Sequence, residues 1–146
     1  MDGDIQCGTL IASIADMTSM KVLIVDDNEL VCWGLGRTLS KRNIVHHAVG
    51  DGKNALSEVR RTFYDLVFLD IHLPDANGLD LMQEIRRISP DTKVVILSSD
   101  GSEDNVRRAL AAGALRFMEK PYDNSEIMEV LEAALPRKPA SRPPAE

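Results

Sequence analysis

The chain has 146 residues, with 17 lysines and arginines against 23 aspartates and glutamates, a formal charge of −6, and 44% hydrophobic and 27% charged residues. Such a composition belongs to an ordinary globular domain long enough to bury a core, and its negative balance offers no electrostatic footprint for DNA or RNA. No apolar run approaches the roughly 20 residues of a membrane span, and the two cysteines, Cys7 and Cys32, argue against a disulfide framework or a cysteine-based zinc site and suit a reducing cytoplasm.

In chain order, residues 1–19 read as a disordered or loosely docked leader. The apolar stretch Thr9–Ala15 follows Asp2 and Asp4, where a secretory signal would carry positive charge. Met17 or Met20 could serve equally well as the start, because organised pattern begins only at Lys21. From there apolar strands alternate with amphipathic helices. The spacing predicts strand Val22–Val25, helix Glu29–Lys41, strand Ile44–Val49, helix Lys53–Thr62 and strand Leu66–Leu69. It continues with helix Gly78–Ile88, strand Val94–Leu97, helix Glu103–Ala112, strand Leu115–Met118 and helix Ser125–Leu135. Several strands are continuous Val/Ile/Leu runs, as expected when both faces are covered. Asn28 and Asn124 can cap helices, Gly113 follows one, and Pro90 closes another. The end, Pro136–Glu146, is Pro-rich and polar and reads as a tail or linker.

Five strand–helix units of this length imply an α/β fold, a doubly wound five-stranded parallel sheet with helices on both faces. The flavodoxin-like order 2-1-3-4-5 leads. In such sheets the ligand sits beyond the carboxyl ends of the strands, at the switch point between the first and third. The first strand ends in Asp26-Asp27, the third in Asp70, the fourth in Ser98 and the fifth in Lys120-Pro121. Far apart in sequence, they would be gathered into one cluster by this fold.

Three carboxylates brought together resist ionisation unless something positive compensates. Mg²⁺ is the natural partner, since it takes oxygen ligands, keeps several waters and needs only one or two carboxylates. No Walker A or dinucleotide fingerprint follows the first strand. Lys120 contributes a point charge and Ser98 a hydroxyl. With Mg²⁺ they would form a clamp around a transferring phosphoryl group, with Asp70 as nucleophile.

Four stretches now resemble the receiver domains of two-component response regulators: VLIVDDN at 22–28, DLVFLDIHLPDANG at 65–78, VVILSS at 94–99 and GALRFMEKP at 113–121. The resemblance covers about residues 20 to 135. It implies that Asp70 is the phosphoacceptor, that Asp27 binds Mg²⁺ directly and that Asp26 holds it largely through water. The backbone carbonyl of His72 would be a further ligand. Ser98 stands at the family's Thr/Ser switch position, Phe117 at its aromatic switch position and Lys120 at its phosphoryl-binding lysine. A cis peptide bond is usual at the Lys-Pro step. Leu73 replaces a frequent Met, and Ser99 stands where a small Ala or Gly is usual. His72 and Asp100 flank the site at variable positions that can tune hydrolysis.

The resemblance further implies a histidine kinase or histidine phosphotransfer protein as phosphodonor. The output would be a downstream effector protein or an output domain outside this chain, with no direct contact to nucleic acid or membrane. The receiver would be a monomer or a phosphorylation-dependent dimer that catalyses only its own phosphorylation and dephosphorylation, a regulator rather than an enzyme. On the first helix, Val31, Leu35 and Leu39 share one face, while Trp33 lies about 200° from Val31 and points outward. Trp33 is therefore a candidate docking residue for the donor. Arg107, Arg108, Arg116 and Tyr122 are candidate contacts on the face built from the fourth helix, fifth strand and fifth helix. His46 and His47 are adjacent on a strand, point to opposite faces and read as structural. A phosphatase or phosphotransferase of the haloacid dehalogenase type also uses an Asp nucleophile, but needs a second Asp where His72 stands. An interaction module without phosphorylation and a flavin carrier are the remaining alternatives; three acids would repel a flavin phosphate.

Overall fold

The computed structural model describes residues 20–135; the leader and tail expected at the two ends lie outside them. Within this span five parallel strands form one sheet in the order β2-β1-β3-β4-β5. In chain order the elements are β1 (Lys21–Val25), α1 (Glu29–Lys41), β2 (Val45–Val49), α2 (Gly52–Arg61) and β3 (Leu66–Asp70). They continue as α3 (Gly78–Ile88), β4 (Lys93–Ser98), α4 (Glu103–Ala111), β5 (Arg116–Glu119) and α5 (Asn124–Ala134).

The inner strands are apolar on both faces because both faces are covered. Leu23, Val25, Val67, Leu69, Val94 and Ile96 pack with α2, α3 and α4. Their neighbours Val22, Ile24, Leu66, Phe68, Val95 and Leu97 pack with α1 and α5. The two sets alternate residue by residue, as the pleat of a strand requires. Burying the whole of β3, including Asp70 at its end, leaves that carboxylate at the boundary between core and solvent.

β2 lies at one edge and is partly exposed, with Val45 at 56%. His46 turns to α1, its Nε2 3.2 Å from the Ser40 hydroxyl, whereas His47 Nε2 lies 3.8 Å from Glu58 on α2. The two rings do leave by opposite faces. Gly36 gives the first of them room, since a Cβ there would lie 3.0 Å from His46 Cε1.

Helix starts follow polar caps. Asn28 accepts from the Leu30 and Val31 amides, Asp51 from Asn54, Asn77 from Leu79 and Ser102 from Asn105. One expected cap moves by a residue: α5 is capped by Asp123, which accepts from the Glu126 amide, and Asn124 is the first helical residue. Freed from capping, the Asn124 side chain instead accepts from the Thr38 hydroxyl of α1 at 3.3 Å. Gly113 follows α4 with φ of +105°, a conformation that suits glycine.

Candidate functional site

The carboxyl ends of β1, β3, β4 and β5 meet at one edge of the sheet. Parallel pairing in register places Val25 beside Leu69, Asp70 beside Leu97 and Ser98 beside Glu119. The residues that follow are therefore neighbours in space. Asp26, Asp27 and Asp70 each bring a carboxylate oxygen to within 4.8 Å of the others. Asp26 is buried, Asp27 exposed, and Asp70 only 5% exposed.

Lys120 completes this cluster. Its ammonium donates to Asp26 Oδ2 at 2.8 Å and reaches Asp70 Oδ1 at 3.4 Å. Asp26 Oδ1 accepts from the Asn28 amide at 2.9 Å. Burial, followed by the charge of Asp26, pushes the Asp70 carboxyl above its ordinary range, with Lys120 pulling the other way. Burial would lower the Lys120 ammonium, but its hydrogen bond to Asp26 and the charges of Asp26 and Asp70 outweigh that and raise it. One cation thus compensates a cluster of three acids, two of them buried. An all-oxygen donor set with excess negative charge and solvent on the Asp27 side fits a hard divalent cation that retains water.

Ser98 is fully buried at the end of β4. Its hydroxyl accepts from the Asp100 amide at 3.0 Å and its carbonyl from the Lys120 amide at 2.8 Å, tying the β4–α4 loop to β5. The Lys120–Pro121 bond is cis. Phe117, half-buried on β5, packs against the core under α2, α3 and α4. His72 is exposed, bridges to Asn77 and presents its backbone beside Asp70.

The proposed contact residues divide. Trp33 stands outward on α1 at 61% exposure, with the Arg37 guanidinium 5.0 Å from its ring centre. Leu30, at 78%, shares that surface. Helical geometry could have found it, since it lies about 60° from Trp33 at 100° per residue. An apolar groove of about 510 Å³ runs from Cys32 and Trp33 past Arg37 to Lys41 and His46. Arg107 and Arg108 are exposed on α4, Arg107 pairing with Asp104 at 3.2 Å, and Arg116 reaches Glu129 of α5 at 2.7 Å.

Tyr122 departs from this outer group. It is half-buried against the core shared by α1 and α5. Burial first, then the charges of Asp26, Cys32 and Asp70, push its hydroxyl up to about 12.

Cys32 was not expected at the site, yet its thiol lies 3.2 Å from the Asp26 carbonyl and lines the cleft around Asp26 and Asp27. Burial and the Asp26 charge raise its pKa, so it stays a thiol.

Residues 22–132 match the family of the response regulator receiver domain. The chain is 36% identical over 119 residues to the response regulator protein PilR of Pseudomonas aeruginosa, covering 82% of this chain and 27% of that one. It is 33% identical over 112 residues to the chemotaxis protein CheY of Thermotoga maritima, covering 76% of this chain and 93% of that one. A crystal structure of a two-component response regulator from Clostridium difficile superposes with a TM-score of 0.77 at 25% identity, covering 80% of this chain and 96% of the other. The chain therefore spans about a quarter of PilR and nearly all of CheY.

Proposed function

The chain belongs to the response regulator receiver domain family, and from that membership we propose that it is a Mg²⁺-dependent phosphoryl acceptor at Asp70. The observation that carries the reading is the position of the Lys120 ammonium, between the carboxylates of Asp26 and Asp70. An aspartate so placed is a nucleophile with its counter-charge already beside it.

In the proposed reaction an Asp70 oxygen attacks the phosphorus of a phosphohistidine on a histidine kinase or phosphotransfer protein. The new O–P bond forms as the P–N bond breaks; its electron pair stays on the imidazole nitrogen, which takes up a proton from solvent. Asp27, Asp70 and the His72 carbonyl would hold Mg²⁺, with Asp26 acting through water; when bound it supplies positive charge to the transferring oxygens. Lys120 turns from Asp26 towards the phosphoryl group and Ser98 gives up the Asp100 amide to donate its hydroxyl. Phe117 then moves into the space vacated, biasing the α4–β5–α5 face that carries Arg107, Arg108 and Arg116.

This makes the protein a regulator whose chemistry serves its own switching. The effector, or an output domain, reads that face, with the receiver acting as a monomer or a phosphorylation-dependent dimer in the cytoplasm. Among the described residues no helix is long and apolar enough to cross a membrane. The dehalogenase-type alternative has no support, because the position of its second acid is His72.

The test is chemical. Acetyl phosphate with Mg²⁺ should add one phosphoryl group by intact mass, labile to hydroxylamine and absent in EDTA. Absence of any adduct together with absence of Mg²⁺ binding would overturn the reading. Within it, Lys120→Met should slow incorporation by about 100-fold, the scale of losing one preorganised charge at a developing anion; a rate within threefold of wild type would remove Lys120 from the machinery. Trp33→Ala should slow transfer from a histidine phosphotransfer protein several-fold but leave incorporation from acetyl phosphate unchanged. A wild-type rate of transfer from the phosphotransfer protein would end its docking role.

A further inference from the structure

Asp75 is an exposed carboxylate in the β3–α3 loop, and the phosphoryl chemistry above does not use it. Both of its oxygens are nevertheless engaged. Oδ1 accepts from the Gly52 amide at 2.7 Å and Oδ2 from the Lys53 amide at 3.1 Å. These are the first two amides of α2, donors that no carbonyl within the helix can satisfy. They also hold the Asp75 carboxyl below its usual range, the Gly52 amide foremost.

Capping alone does not account for the arrangement. The same helix already has a local cap, Asp51, whose Oδ1 takes the Asn54 amide at 2.7 Å. Asp75 comes from 23 residues away and serves different amides. The close approach depends on bare backbone: a Cβ on Gly52 would lie 3.0 Å from Ala76 Cβ and 3.3 Å from Asp75 Oδ1.

The loop is fixed at its base as well. The Gly78 amide donates to the Ile71 carbonyl at 2.6 Å, and the Leu73 amide to the Ala76 carbonyl at 3.2 Å. His72 lies between these ties and bridges to Asn77. Asp75 therefore anchors the crown of the loop whose base carries Asp70 and His72.

We propose that Asp75 is a positioning residue: by clamping the β3–α3 loop to the start of α2, it sets the backbone of His72 for a divalent cation and so tunes the affinity of the site. This rests on the Mg²⁺-dependent reading above. The carboxylate does not touch the metal; it acts through the loop.

The test is a Mg²⁺ titration of the full chain by calorimetry, with no phosphodonor present, on wild type, Asp75→Ala and Asp51→Ala. Both variants strip one carboxylate from the first turn of α2 and should lower the urea midpoint. Only Asp75→Ala should raise the Mg²⁺ dissociation constant, by about five- to tenfold, with Asp51→Ala within twofold of wild type. An Asp75→Ala constant equal to wild type, or an equal rise in Asp51→Ala, reduces Asp75 to a helix cap. A wild type that binds no Mg²⁺ sinks the receiver chemistry itself and the clamp with it, an outcome distinct from failure of the clamp alone.

Discussion

Asp70→Asn abolishes phosphoryl incorporation while making the metal-free protein more stable. Loss of a reacting nucleophile costs at least about three orders of magnitude in rate, so no adduct should be visible by mass under conditions that modify the wild type fully. The gain in stability follows from the surroundings of Asp70. Burial and the Asp26 charge raise its carboxyl pKa, so the folded state favours the neutral acid. Between the unfolded and folded values the native protein keeps a proton that the unfolded chain has released. Wild-type stability contributed by this group therefore falls as pH rises through that window, and the full penalty stands above the folded value. Asparagine has no proton to lose. In EDTA, the urea midpoint of Asp70→Asn should exceed that of wild type, by a margin that widens from acid to neutral pH. Added Mg²⁺ should narrow or reverse the order, because a ligand stabilises only the form that binds it. A variant less stable than wild type at neutral pH in EDTA would show that Lys120 already compensates Asp70 in full.

Gly78→Val should cost roughly 3 kcal/mol or more, the upper range for overpacking a tight site, and take phosphorylation with it. Gly78 opens α3 and is buried. A Cβ there would collide with the Asp70 carbonyl oxygen and lie 2.7 Å from Ile71 Cα. These are backbone atoms at the end of β3, so no side-chain rotation relieves the contact. The α3 start and the phosphoacceptor carbonyl cannot both keep their places. Gly34→Ala is the matched control. Nothing lies within 4 Å of a Cβ at that position in the middle of α1, so the substitution should stabilise the fold by about 0.5–1 kcal/mol. Urea unfolding of the two variants measures opposite signs from one residue type. Equal midpoints would mean that the close seat of α3 on β3 is not tight.

Both expectations depend on what happens just beyond a strand end, and that is where sequence and structure divide their contributions. The alternation of apolar runs with amphipathic segments gave every strand and helix of residues 20–135 to within about two residues, because period and capping are local properties. The site was legible for the same reason. Asp26, Asp70, Ser98 and Lys120 each follow or close a strand, and parallel topology brings strand ends together wherever they stand in the chain. The outward direction of Trp33 was a matter of helical angle.

Other features needed the packed molecule. The cap of α5 is Asp123, which takes the Glu126 amide, not Asn124 as local pattern suggested; the Asn124 side chain instead meets the Thr38 hydroxyl of α1. Tyr122, half-buried, packs against the α1–α5 core, a contact that neither its polarity nor its neighbours announce. The Asp75 clamp joins residues with no shared period or motif. Local pattern thus determined the elements, their order and which side chains would stand at the strand ends. Tertiary structure decided which amides, carboxylates and rings meet across those ends, because hydrogen bonds and burial depend on distances that only the folded chain defines.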